Sequence, residues 1–257
     1  MISKNHIKYL TSLKEKKYRD LYSEYIVEGI RSVDEFLLYP DKIKSIFALP
    51  EWIEKHNTQI QNITDVYEIN NDVIHKISCL KTPNQVVALI KKNNDKVEIN
   101  FQDIILVLDN IGDPGNIGTI IRIADWFGID YIICSPDTVD PYNPKAVQAS
   151  MGSICRVNII VKPLEKFFNI VPTDIPIYGT CIDTENMNFS VSNNKAVIVI
   201  GNEAKGISDN ISKYVTQKIS IPSYPHLNSV KGKADSLNVA IATSILCYEF
   251  RKSLLKL

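Results

Sequence analysis

At 257 residues the chain can bury a substantial core, and it sits at the length where one core commonly divides into two domains. Its 45% hydrophobic and 23% charged residues are those of an ordinary soluble globular protein, and no run nears the roughly 18 to 20 apolar residues of a membrane helix. The formal net charge of zero gives no sign of the strongly basic surface that announces a nucleic-acid partner.

Residues 1–19 are too polar for the apolar core of a signal peptide, and Glu15 interrupts their basic run. Residues 3–20 read as a helix, with Ile7, Leu10 and Leu13 on one side. Residues 1–31 hold seven Lys and Arg against four acids, an excess compatible with phosphate contacts and equally with a solvated helix face. A short strand at Tyr25–Val27 leads through Glu28-Gly29 into a helix reaching Leu38. Strands at Ser45–Leu49 and Val66–Ile69, a helix near Asp72–Leu80 and a strand at Val86–Ile90 follow. The run from Lys91 to Lys96, Lys-Lys-Asn-Asn-Asp-Lys, has nothing to bury and reads as a linker. Residues 1–95 therefore form a small α/β domain and residues 96–257 a second one.

The second part is patterned more cleanly. Near-continuous apolar runs at 104–108, 131–134, 157–161, 177–181 and 196–200, with a short one at 218–222, suit a parallel sheet covered on both faces. Helices are expected at Asn116–Phe127, Pro144–Met151 and Ser236 to about Leu255. Such a sheet binds ligands in the loops beyond the carboxyl ends of its strands. The five cysteines are scattered and read as packing residues of a cytosolic chain. The four histidines lie far apart, so no metal site is expected.

Three loops carry the chemistry. The first, Leu108-Asp-Asn-Ile-Gly-Asp-Pro-Gly-Asn-Ile-Gly-Thr119, runs on to Arg122. Asn116 suits a helix cap, and Arg122 stands unexplained between Ile121 and Ile123. Equally, Asp113-Pro-Gly could be a plain turn and Arg122 a surface residue. The second, Ile200-Gly-Asn-Glu-Ala-Lys-Gly-Ile-Ser208, follows a fully apolar strand, and Glu203 with Lys205 could be only an exposed pair. The third runs from Ser220 to Asn238. There Asp235 or Ser236 could cap the last helix, whereas Asn238 is harder to assign to capping. There is no GxGxxG after the first strand of the second part, no GxxxxGK[ST] and no GxSxG, which removes the usual dinucleotide, phosphate-loop and serine-nucleophile sites.

In this order the three loops resemble the motifs of the SpoU/TrmH family of RNA ribose 2′-O-methyltransferases, a branch of the SPOUT superfamily. The matching blocks are Asp109–Gly128, Ile200–Ser208, and Ile221-Pro222 with Asp235–Ala240. Between them, Gln148–Val157 is similar to a segment common in ribosomal-RNA members. More weakly, Lys17-Tyr-Arg19, Tyr25–Gly29 and Thr82-Pro83 resemble the ribosomal-protein-like substrate-binding domain many such enzymes carry.

The resemblance implies a SPOUT-type, mostly parallel sheet flanked by helices, with a C-terminal trefoil knot holding S-adenosylmethionine in a bent form. It implies homodimers whose active sites are built near the subunit interface. It makes Arg122 the group at the attacking oxygen, with Asn116, Glu203, Ser236 and Asn238 positioning ribose, arginine and cofactor. Thr180, Ile200, Gly201, Ile221 and Leu237 would hold the cofactor, and no metal is implied. The implied substrate is RNA, with 23S ribosomal RNA ahead of tRNA, in the cytoplasm; a non-catalytic RNA-binding or assembly factor is the alternative of another class. Two departures stand out: a long link from Ser223 to Asp235, a substrate flap or a tolerated insertion, and Ala240 in place of a frequent serine.

Overall fold

The computed structural model describes residues 2–92, 98–181, 195–223 and 236–254. The chain divides into two compact units, Met1–Asn94 with Asp140–Cys155, and Asp95–Val139 with Arg156–Leu257. The sequence boundary near residue 95 thus describes only one of three crossings. Residues 140–155, expected in the second domain, pack with the first.

In chain order the first unit runs α1 (Lys4–Ser12), α2 (Lys16–Tyr22), β1 (Glu24–Glu28), α3 (Ile30–Leu37), β2 (Ile43–Ala48), α4 (Pro50–Lys55), β3 (Val66–Glu68), α5 (Asn71–Ile77) and β4 (Val86–Lys91). The second follows with β5 (Ile104–Leu108), α6 (Pro114–Trp126) and β6 (Tyr131–Cys134). Next come α7 (Pro144–Ser150), which belongs to the first unit, β7 (Asn158–Val161), α8 (Leu164–Phe168) and β8 (Ile177–Thr180). The chain closes with β9 (Ala196–Ile200), α9 (Asp209–Ser212), β10 (Gln217–Ile219) and α10 (Val239–Leu254).

The single helix expected over 3–20 is two. Glu15 is extended, and the break frees the carbonyls of Leu13 and Lys14, both of which accept from the Arg19 Nη1 at 2.8 Å. Arg19 is buried, and its Nε and Nη2 donate to the Asp140 carboxylate at 2.8 and 2.6 Å. One guanidinium therefore closes a helix break and anchors the 140–155 segment to the first unit. Periodicity missed this because Leu10 and Leu13 before the break and Tyr18 after it face the same core. Among the described residues, three short helices also went unread: α4 behind Pro50, α8 behind Pro163, and α9. Each has too few turns to display a period.

The sheet of the first unit has the order β1-β4-β2-β3, antiparallel except for β2 with β3. Leu10, Ile26, Phe47, Ile74 and Leu89 form its core. The six strands of the second unit, β10-β8-β9-β5-β6-β7, are all parallel. Ile105, Val107, Val197 and Val199 pack on one face with Leu164, Phe167 and Ile211. The alternate residues point to the other face, where the Tyr178 and Phe250 rings meet edge-on at 4.9 Å, so α10 lies on that side. No disulfide forms among the described residues; Cys134, Cys155 and Cys247 are buried, and burial pushes the Cys247 thiol up to about 12. That agrees with packing.

Removing one partner of a buried ion pair leaves the other charge unpaired and costs about 3–5 kcal/mol, whereas replacing both by apolar groups costs far less. Arg19→Met and Asp140→Leu alone should each destabilise the first unit by that order, and the double variant by much less. Urea unfolding followed by the fluorescence of Trp52, which is fully buried in this unit, checks it. Additive single-variant losses would show that the pair is not the anchor.

Candidate active site

The parallel sheet places the ends of β5, β8, β9 and β10 on one rim. Asp109 extends β5 by donating its backbone N–H to the Ile200 carbonyl, and its buried carboxylate accepts from the N–H and hydroxyl of Ser208 at 2.8 and 2.7 Å. Asn110 follows with φ 58°, and its carbonyl accepts from the Asn202 amide at 2.8 Å. Asn202 and Gly206 exchange backbone bonds, and the Asn202 side chain accepts from the N–H groups of Ala204 and Lys205. The loop after β9 is thus locked to the loop after β5. Asp109 and Asn202 were quoted within motifs but given no role. The available signal is their position, one residue beyond the end of β5 and two beyond the end of β9, inside glycine-rich turns.

Gly201 is where that loop turns back. A Cβ there would stand 2.3 Å from the Gly206 carbonyl carbon and the Ile207 nitrogen, so the backbones can approach only with no side chain present. Gly201 and Ile200 are buried at the end of β9. Thr180 ends the adjacent β8, and Ile221, half-buried, follows β10, whose Ile219 is in register with Thr180. Four of the five expected cofactor residues therefore lie at the carboxyl ends of three neighbouring strands. The fifth, Leu237, is exposed just before α10.

The two asparagines exchange their expected roles. Asn116 does not cap α6; Asp113 does, accepting from the Asn116 N–H at 2.9 Å, with Pro114 at the first helical position. That frees the Asn116 side chain, whose amide donates to Glu203 Oε1 at 2.9 Å and whose carbonyl accepts from the Asn238 amide at 3.0 Å. Asn238, not Ser236, caps the last helix, and Asp235 lies outside the described residues. Its Oδ1 accepts from the Ala240 and Ile241 N–H groups at 3.0 and 3.4 Å, and α10 begins at Val239 rather than Ser236. Glu203 therefore faces Asn116, and among the described residues it makes no pair with Lys205.

Arg122 is exposed and makes no hydrogen bond or ion pair among the described residues. It shares one stripe of α6 with Thr119 and the strongly exposed Trp126. The structure thus joins Asn116, Glu203 and Asn238, while Arg122 and the exposed Ser236 stand apart from that network. Residues 224–235 of the long link lie outside the described residues. The end of α10 is fixed by Arg251, which donates to Asp103 and to the Phe127 and Gly128 carbonyls that close α6.

Among the described residues no group of His, Cys, Asp and Glu could hold a metal ion, and no helix is long and apolar enough to cross a membrane.

The profile of the SpoU rRNA methylase family matches residues 103–248, the whole span that carries these loops. The chain belongs to that family. Residues 4–88 match the MRM3-like substrate binding domain. The 23S rRNA (guanosine(2553)-2′-O)-methyltransferase RlmP of Bacillus subtilis is 26% identical over 93% of each chain. The tRNA (guanosine(18)-2′-O)-methyltransferase of Aquifex aeolicus is 29% identical over 63% of this chain and 75% of its own. Among solved structures, a TrmH-family protein from Porphyromonas gingivalis is 33% identical over 98% of this chain and 99% of its own, with a TM-score of 0.81. An AdoMet-bound rRNA methyltransferase from Sinorhizobium meliloti is 28% identical over 99% and 97%, with a TM-score of 0.81.

Gly201 and Gly206 allow the loop's constraint to be tested by contrast. Gly206 has φ 71° and open space around it, so Gly206→Ala meets only left-handed strain, about 1–2 kcal/mol. Gly201→Ala drives a Cβ into backbone and should lower the calorimetric transition further. An equal drop in the two variants would remove close approach as the reason for glycine at 201.

Proposed function

We propose that the chain transfers a methyl group from S-adenosylmethionine to a ribose 2′-hydroxyl of RNA, with ribosomal RNA as its substrate class. The observation that carries this reading is the Asn238–Asn116–Glu203 bridge at the carboxyl rim of the parallel sheet, inside the span matched by the family. The choice of ribosomal RNA over tRNA is supported by the breadth of the RlmP match, 93% of the chain against 63% for the tRNA enzyme.

The residues present suit an adenosyl ligand. Ile200, Ile221 and Leu237 offer apolar walls for a purine, and Thr180 and the Gly201 backbone offer polar groups beside them. Gly201, with no side chain, lets the Gly206–Ile207 backbone close against it, which fixes the loop beside these groups. We assign these residues to the cofactor and take the loops around them to form the trefoil knot of the family. When bound, the cofactor would supply an electrophilic methyl to the 2′-oxygen and leave as the neutral thioether S-adenosylhomocysteine, the hydroxyl proton passing to solvent.

What the chain adds is alignment and charge. Arg122 orients the phosphate next to the attacked ribose and stabilises negative charge on the 2′-oxygen; a guanidinium stays protonated and is a poor base. Asn116 is held between Glu203 and Asn238, which fixes its amide; we assign Ser236, exposed two residues before Asn238, to positioning the ribose. Arg122→Ala should lower methyl transfer at least a hundredfold and leave cofactor affinity within about threefold. Labelled-methyl transfer to unmodified total RNA, with ribosomal RNA and tRNA then separated, reads both substrate and chemistry. Label surviving as an alkali-resistant dinucleotide is expected in one ribosomal species. Full activity in the variant would remove Arg122 from the mechanism, and label in tRNA would move the substrate class.

The enzyme works as a cytoplasmic homodimer. Ile241, Ile245 and Tyr248 form an exposed apolar stripe on α10, and Trp126 is exposed on α6, the helix that packs with it. Spacings of four and three residues put the α10 side chains on one helical face, the pattern of a helix built for a partner. Arg122 lies one turn from Trp126, so a second copy on this face would complete the surroundings of the arginine. Ile245→Glu should convert a dimer to a monomer in sedimentation velocity and abolish transfer. A monomeric wild-type chain with full activity would overturn the dimer.

A further inference from the structure

Away from the rim of the parallel sheet, the first unit holds a cavity of about 480 Å3, within the range of small-ligand sites. Ile26 and Val147 are buried in its wall, and Lys14 and Lys145 are exposed at its edge. The unusual member is Glu28. It is buried, its Oε1 accepts from the Cys79 N–H at 2.8 Å and its Oε2 from the Ser78 hydroxyl, yet among the described residues no Lys or Arg pairs with it. A buried carboxylate without a counter-ion is costly; the Cys79 thiol also bonds to it, and one further acceptor position remains. The cavity therefore asks for a ligand with N–H donors.

Its edge supplies the complementary groups. Lys14 spends one donor on the Ser78 carbonyl at 2.7 Å and keeps two. Lys145 makes no ion pair among the described residues, and the half-buried Gln148 amide makes no hydrogen bond there. Asn143 caps Lys145 with its oxygen, which leaves its NH2 group available. Lys145 and Gln148 are carried on the 140–155 segment that the Arg19–Asp140 pair anchors, so their positions are set by a buried contact. Ammonium groups, an apolar wall and a buried acceptor are together the chemistry that recognises a nucleotide whose base is out of a helix.

We propose that this cavity holds one unpaired nucleotide of the RNA, its base against Ile26 and Val147 with an N–H edge toward Glu28, and its phosphates at Lys14 and Lys145. The proposal rests on the RNA-methyltransferase reading only in taking the nucleotide to be part of the substrate.

The test uses the full chain and two fluorescein-labelled probes, a single-stranded RNA nonamer of mixed sequence and a duplex of the same length. Lys145 is exposed and Gln148 half-buried, and neither side chain makes a hydrogen bond or ion pair among the described residues, so Lys145→Ala and Gln148→Ala should spare the fold, which circular dichroism melting checks. The double variant should bind the single strand at least tenfold more weakly, with S-adenosylmethionine affinity unchanged. In methyl transfer it should raise KM for RNA about tenfold while retaining kcat. Lys145→Ala alone should flatten the salt dependence of binding by about one phosphate contact.

Wild-type affinity for the single strand no greater than for the duplex, or a double variant within twofold of wild type, would overturn the pocket. Weakened oligonucleotide binding in the variant, from a wild-type chain that transfers no methyl group, would keep the pocket and sink the methyltransferase reading. Intact transfer with unchanged KM and binding in the variant would do the reverse.

Discussion

A single side-chain amide sets the geometry of the candidate active site. Asn116 donates to Glu203 and accepts from Asn238, residues 87 and 122 positions away in the chain. Its two halves are used in opposite senses, so neither partner can be exchanged for the other: a carboxylate must receive the NH2 and a donor must reach the carbonyl. Asn238 in turn spends its oxygen on the first N–H groups of α10, which leaves only its NH2 for the bridge. The start of one helix, the first turn of another and the loop after a central strand are therefore placed by one set of hydrogen bonds.

This bridge depends on constraints that lie below it. Asp113 must take over the capping of α6 before the Asn116 side chain is free. Gly201 must lack a Cβ before the loop bearing Glu203 can fold back on itself, and Asp109 must hold Ser208 to keep that loop down. Arg251 clamps the far ends of α6 and α10, so the two helices that carry the asparagines are fixed at both extremities. Preorganisation of this kind is what an alignment-driven methyl transfer requires, because misplacement by an ångström is costly in rate.

The parallel sheet was legible in the sequence because strands buried on both faces have no polar alternation to confuse the reading, and Ile104–Leu108 and Ala196–Ile200 are apolar throughout. The family motifs fall on the loops that the Asn116 bridge joins. Local reading failed where two explanations share one residue type. Asparagine serves equally as cap and as bridge, and only the structure shows that Asp113 had already filled the first role for α6. The break between α1 and α2 was hidden for a related reason. An apolar stripe reports which side faces the core, not whether the backbone hydrogen bonds continue, and the arginine that satisfies the broken turn lies beyond it in the chain.

Arg19 also explains why a domain boundary drawn by composition was incomplete. A polar linker such as Lys91–Lys96 is visible because it has nothing to bury, whereas residues 140–155 are ordinary in composition and join the first unit through one buried guanidinium. That route has a consequence for RNA recognition in a chain of zero net charge. Residues 1–92 carry fourteen Lys and Arg against twelve Asp and Glu, too even for a phosphate-tracking surface. Affinity must then come from a few placed groups and from surface taken out of water. The 140–155 segment adds Lys145, Asn143 and Gln148 to the side of the first unit where Glu28 is buried with no Lys or Arg paired to it among the described residues. Recognition by shape and hydrogen bonding needs rigid mounting more than it needs charge, and the Arg19–Asp140 pair, buried and bonded through two guanidinium nitrogens, supplies that mounting.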